Sequence, residues 1–226
     1  MYGKMLVVCL LFCAVAPSAT LCATDSLFNY EALGAGGCTV KGLPFSGFTF
    51  SVVFANGGAV PVTAGQITVS PVDPDLEGGL NFASDGFSVS AGQSVEYQIS
   101  YSVDDPPIIH GWDLQLFDPV TPPATITITS MECLGSAFSG TSCPTSSTVT
   151  NTVSDNGTTP VLRDKEYFPI TRTVGVPTTI ELDAHLGGSA SFTSITQQAV
   201  LAPEPWPAML TPSSLLLLVF ARRLRR

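Results

Sequence analysis

VEYQISYSV, residues 95–103, alternates without a break. Val95, Tyr97, Ile99, Tyr101 and Val103 point one way; Glu96, Gln98, Ser100 and Ser102 point the other. That period of two is the mark of a strand with one buried face. The same rhythm recurs on both sides of it. Phe48, Phe50, Val52 and Phe54 alternate similarly with Thr49 and Ser51, Ile67 and Val69 do so before Pro71, and Ile126 and Ile128 do so among threonines. Further strand candidates lie at 86–90, 112–117, 147–153, 166–173, 176–182 and 189–197. Turn signals separate them, among them Asn56-Gly57-Gly58, Asp85-Gly86, Asn156-Gly157 and Gly187-Gly188. No window of useful length has helical periodicity. One-sided alternation is an antiparallel signature, since strands buried on both faces are continuously apolar. The expected middle domain is therefore all-β: an antiparallel β-sandwich, Ig-like or jelly-roll-like.

Composition agrees. Hydrophobic residues make up 45% of the 226 and charged ones only 12%, which suits short polar turns between strands better than a cytosolic helical protein. Residues 24–202 carry 17 acidic and four basic side chains (Lys41, Arg163, Lys165, Arg172), a net charge of −13. Such a surface repels phosphate backbones, so nucleic acid is excluded as a partner.

The two ends differ from the middle. Lys4 is followed by the apolar run MLVVCLLFCAVA (residues 5–16) and then by small residues through Ala19 and Ala23. This is the order of a secretory signal peptide, a substrate of signal peptidase. Cleavage after Ala23 is preferred, with cleavage after Ala19 as its rival. Leu21 stands where a lipoprotein needs a small residue before Cys22.

At the other end, residues 203–226 read PEPWPAMLTPSSLLLLVFARRLRR. Pro203, Glu204 and Pro205 precede an apolar run that stops on Arg222, Arg223, Arg225 and Arg226. The arginines hold to the cytoplasmic side, and the prolines keep the triplet extended. This order resembles a PEP-CTERM sorting tail, a type also labelled an ice-binding protein C-terminal domain. An ordinary positive-inside anchor shares the arginines and the apolar run but not the triplet. The resemblance implies an exosortase-type processing enzyme as partner and a transient hold in the inner membrane. It also implies delivery to the cell surface or an exopolysaccharide matrix. Three segments are expected: a signal helix (1–23), the β-domain (24–202) and a tail with a short hydrophobic helix (203–226). Within the middle, LFNYEALGAGGCTVKGLPFSGFTFSV, AGQSVEYQISYSV and SASFTSITQQ are similar to a group of acidobacterial-type PEP-CTERM proteins without an assigned activity. That second resemblance implies no chemistry.

Candidate chemistry in the middle is sparse. Cys9 and Cys13 leave with the signal. Cys133 and Cys143 bracket a Gly/Ser-rich segment and are the favoured disulfide, which would pin a short loop by up to ~3 kcal/mol. Cys38 is then left over, unless it bridges to Cys133 or Cys143. A cut before Cys22 adds a fourth thiol. His110 and His185 read as turn residues and are too few for zinc. Asp73, Asp75 and Glu77 put three oxygen donors in one loop, a weak calcium candidate without EF-hand spacing. Glu96 and Glu132 lie on strands, and only their separation in space decides whether they pair as glycosidase acids. No nucleophile elbow or phosphate loop occurs. Trp112, Tyr97, Tyr101, Phe48 and Phe50 are a sugar platform or a core, and alternation favours the core. The expected function is a non-enzymatic matrix protein without cofactor, associated with exopolysaccharide. The alternative is a carbohydrate- or calcium-binding module.

Overall fold

The computed structural model describes residues 20–72, 77–117, 124–139, 142–144 and 147–202, without the side chains of 105–107. The signal segment through Ala19, Asp73, Asp75 and the whole tail 203–226 lie outside the described residues. In chain order the strands are β1 (Asp25–Ser26), β2 (Cys38–Val40), β3 (Leu43–Asn56) and β4 (Thr68–Val72). Next come β5 (Glu77–Ala83), β6 (Ser88–Val89), β7 (Ser94–Phe117) and β8 (Thr125–Leu134). The last are β9 (Thr148–Asp155), β10 (Arg163–Asp183), β11 (Ala190–Ser191) and β12 (Ser194–Leu201). Every named strand pairing is antiparallel, as the one-sided alternation requires.

Two strands are long enough to serve two walls. The first half of β7 pairs with β3 and with the second half of β10, and β8 and β9 extend that wall. The second half of β7 pairs with β12 and with the first half of β10, and β5, β4 and β1 extend the other. The β7–β10 register shifts between Tyr167 and Thr173, where both strands pass from wall to wall. Extra residues at such points bend a sheet.

The core lies between the walls. Val95, Tyr97, Ile99, Tyr101 and Val103 face Trp112, Leu114, Leu116, Phe82 and Ile195 in one buried cluster. Tyr101 is ringed by aromatic neighbours, with Phe48, Phe82 and Trp112 at centroid separations of 5.5, 5.9 and 6.4 Å. Trp112, Tyr97, Tyr101 and Phe48 are therefore core, and Phe50 packs against it partly buried.

Four local expectations change. The alternation of Phe48, Phe50, Val52 and Phe54 does not hold to its end. A register shift between Val52 and Phe54 sets Phe54 opposite Glu96, and Val52 and Val53 are exposed. The separate candidates 166–173 and 176–182 are one strand. Pro177 is tolerated there because the β8 ladder has a gap between Gly175 and Thr178. A helix, α1 (Leu27–Ala32), forms where no helical pattern is long enough to read. Ser26 caps it by accepting from Asn29 N, and Leu27 and Tyr30 are buried. Among the described residues no helix is long and apolar enough to cross a membrane.

The fourth change concerns the cysteines. Cys133 and Cys143 are bonded as expected, but Cys38 is neither left over nor bridged to either of them: its partner is Cys22. The segment around Cys22 is tied into the fold. Cys22 N donates to Thr39 O at 3.0 Å and Thr39 N to Thr20 O at 2.8 Å. The Tyr30 hydroxyl donates to Ala23 O at 2.8 Å.

Candidate functional site

The wall built on β4, β5, β12, the end of β7 and the start of β10 has a second face, turned away from the core. Register assigns its residues. Ser70, Asn81, Thr196, Gln115 and Arg163 lie side by side across the five strands. The next row is Val72, Gly79, Gln198, Asp113 and Lys165. A third row runs Glu77, Val200, Gly111 and Tyr167. At the opposite end stand Thr68, Ala83, Ser194 and Phe117. The intervening residues of the same strands, such as Leu114, Leu116, Ile195, Leu80 and Phe82, belong to the core. The outer face is thus polar for the same reason that the inner one is apolar: side chains alternate along each strand.

Its polar groups are joined to each other. Arg163 Nε donates to both oxygens of Asp113, at 3.0 and 3.1 Å, and its terminal nitrogen makes a second, shorter bond to the same carboxylate. Gln115 Nε2 donates to Asp113 at 3.1 Å and to Gln198 Oε1 at 3.4 Å. Thr196 Oγ1 donates to Asn81 Oδ1 at 2.9 Å. Lys165 is ion-paired with Glu77. Asp113 is wholly buried beneath Arg163, whose own side chain is 56% exposed. The hydrogen bond to Asp113 pushes the guanidinium further into its charged form. Burial opposes the charge of Lys165, but the contact with Glu77 outweighs it and raises its pKa.

Tyr167 borders this array. The residue is 61% exposed, and its ring lies 5.4 Å from the ring of His110 and has Lys165 Nζ 5.7 Å from its centroid. Gly111 gives it room: a Cβ there would stand 3.0 Å from Tyr167 Cδ1. At the other end a cavity of about 290 Å³ opens beside Thr68, Ser84, Asp85 and Ser194.

Of the residues singled out from sequence, Glu77 is on this face and His110 borders it; the others described fall elsewhere. Of the acidic triplet, Glu77 alone is described, and it holds Lys165. His110 is on β7, not in a turn, whereas His185 is in a turn with φ 44° and meets Asp183 at 3.3 Å. Glu96 and Glu132 do not pair: Glu96 lies on the outer face of its wall, level with Glu181, while Glu132 is fully buried inside. There Glu132 ends a polar chain. Ser130 Oγ donates to it at 2.7 Å, Thr178 Oγ1 to Ser130 at 3.3 Å, Gln197 Nε2 to Thr178 at 2.7 Å, and Tyr101 to Gln197 at 2.8 Å. Burial pushes the Glu132 carboxyl well above the usual range, aided by the charges of Asp164 and Glu166. The tail residues Pro203, Glu204, Pro205, Arg222, Arg223, Arg225 and Arg226 lie outside the described residues.

Sequence reading passed over Asp113, Gln115 and Arg163 altogether as site residues. Their signal was present. Asp113, Gln115 and Phe117 alternate with Leu114 and Leu116, and Arg163, Lys165 and Tyr167 share a face two residues apart.

No family model and no curated protein matches the chain. A solved structure described as TmCBM61 in complex with beta-1,4-galactotriose resembles 66% of this chain and 86% of its own. The identity is 12% and the TM-score 0.31. A likeness that loose carries nothing about a ligand to this chain.

Proposed function

We propose that this chain is an exported, non-catalytic surface domain that binds neutral polysaccharide through the outer face of β5, β12, β7 and β10. The observation that carries the reading is the fixed array of side-chain donors and acceptors bordered by the exposed Tyr167 ring. Sugar hydroxyls both donate and accept, so they match a surface offering Arg163, Lys165 and Gln115 as donors beside the oxygens of Asn81 and Gln198. A pyranose ring presents an apolar C–H face, which an aromatic ring such as Tyr167 can cover. Asp113 and Glu77 are held in ion pairs, so neither is poised as a general acid or base. A net charge of −13 disfavours a polyanionic ligand.

The address is proposed from the ends of the sequence: a signal peptide for export, then an exosortase-type system acting on Pro203, Glu204 and Pro205. The binding test is retention of the mature protein on immobilised neutral β-linked polysaccharides, with Tyr167→Ala as control. Retention that the substitution weakens is expected; absence of retention on all of them overturns the reading. For the address, deleting residues 203–226 should move the protein from the envelope to the medium or periplasm. Unchanged localisation would count against it.

A further inference from the structure

Exposed large hydrophobic side chains are ordinary on a protein surface. Among the described residues three of them are aromatic: Phe28, Phe117 and Tyr167. Two of the three are on the polar face described above, and at its opposite ends. Tyr167 pairs with Gly111, and Phe117 lies six residues further along β7. At the rise of an antiparallel strand that separates the two positions by about 20 Å. Between them the face is paved by Asp113, Gln115 and their partners. Phe117 is 45% exposed, and its row continues through Ser194 into the cavity beside Asp85.

Resting on the glycan reading, we propose that the site is extended: a linear neutral oligosaccharide lies along β7, stacking on Tyr167 at one end and Phe117 at the other. A monosaccharide or disaccharide reaches one ring only. An internal segment of a longer chain reaches both, with its hydroxyls over Gln115 and Arg163. The site therefore recognises the interior of a polymer and needs no free chain end.

The test is titration calorimetry of the mature protein with ladders, from mono- to hexasaccharide, of β-1,4-glucan, β-1,4-galactan and β-1,4-xylan. Wild type, Tyr167→Ala, Phe117→Ala and the double variant are compared, with equal melting temperatures as the check on folding. Affinity for the ladder that binds should climb with length and then level off. Each single variant should lose roughly 3–10-fold on the hexasaccharide, the worth of one aromatic contact. The double variant should lose the product, and on a disaccharide the two losses should not multiply. Wild-type affinity for the hexasaccharide in Phe117→Ala, with binding lost in Tyr167→Ala, overturns the extended site and leaves the glycan reading standing. Binding of none of the three ladders by wild type overturns both.

Discussion

Substituting Glu132 by Gln should stabilise the domain by an amount that grows with pH. Glu132 is fully buried, one oxygen accepts from Ser130, and the other has no hydrogen-bond partner. Tyr101 lies near it in the interior, and the charges of Asp164 and Glu166 act on it from the side of β10. Burial, with the charges of Asp164 and Glu166, favours the neutral acid and outweighs the Ser130 hydrogen bond, which favours the carboxylate, so the folded-state pKa stands well above the ordinary 4.5. The unfolded chain releases the proton near that ordinary value. Above it the folded state binds more protons than the unfolded one, and stability falls as pH rises, until Glu132 ionises in the folded state. The slope is about 1.4 kcal/mol per pH unit for one proton. Gln keeps the oxygen that Ser130 reaches, occupies nearly the same volume and does not titrate. The stability difference between variant and wild type should therefore widen by roughly 1–2 kcal/mol between pH 4.5 and pH 6. Chemical denaturation of both proteins at several pH values in that window measures it. A difference that stays constant, or that narrows as pH rises, would refute the argument.

Three shorter predictions concern the ends of the fold and the site. The Cys22–Cys38 bond requires a mature chain that retains Cys22, so N-terminal sequencing should find Thr20 first, with the signal cut after Ala19; a start at Thr24 would contradict the observed pairing. Replacing Cys22 and Cys38 together by Ser should cost about 3 kcal/mol in denaturant titration, since the bond closes a loop with a sequence separation of 16. Gly111→Ala should weaken polysaccharide binding and lower stability by about 1–3 kcal/mol. Its Cβ would meet Glu166 O at 2.8 Å and crowd Tyr167; unchanged affinity and melting temperature would show that the ring does not depend on that gap.

The β-fold was legible because alternation is a property of sequence, and tertiary packing did not override it over Val95–Val103. Strand continuity was less so. Pro177 argues for a break, and only the gap in the β8 ladder shows why the strand passes through it. Helix α1 has six residues, too few for a period of 3.6 to declare itself, and its stability comes from burying Leu27 and Tyr30. The Cys22–Cys38 pair was not legible because a signal cut after Ala23 takes Cys22 out of the mature chain. The site was the least legible part. Asp113 and Arg163 are fifty residues apart and meet because β7 and β10 pair. No local pattern announces a contact made by register, and the acidic triplet drew attention to a loop instead.

The Asp113–Arg163 pair leads to a last prediction. Arg163 is the largest donor on the face and is largely exposed; an unheld arginine of that kind samples many rotamers, and a ligand that used it would have to order it. Asp113, buried below, accepts from two of its nitrogens and fixes the guanidinium before any ligand arrives. Immobilising one long side chain costs about 0.5–1.5 kcal/mol, so losing that preorganisation should weaken glycan binding roughly 2–10-fold. Asp113→Asn keeps the shape but offers Arg163 a single neutral acceptor, and should show this loss. Asp113 also accepts from Gln115, but asparagine keeps an oxygen for that bond, so the loss acts through Arg163 and the effects should not add. Asp113→Asn in an Arg163→Ala background should leave the affinity of Arg163→Ala unchanged. A double-mutant cycle on the polysaccharide that binds gives the answer. Fully additive losses would mean that Asp113 touches the ligand itself, or that the two residues act independently.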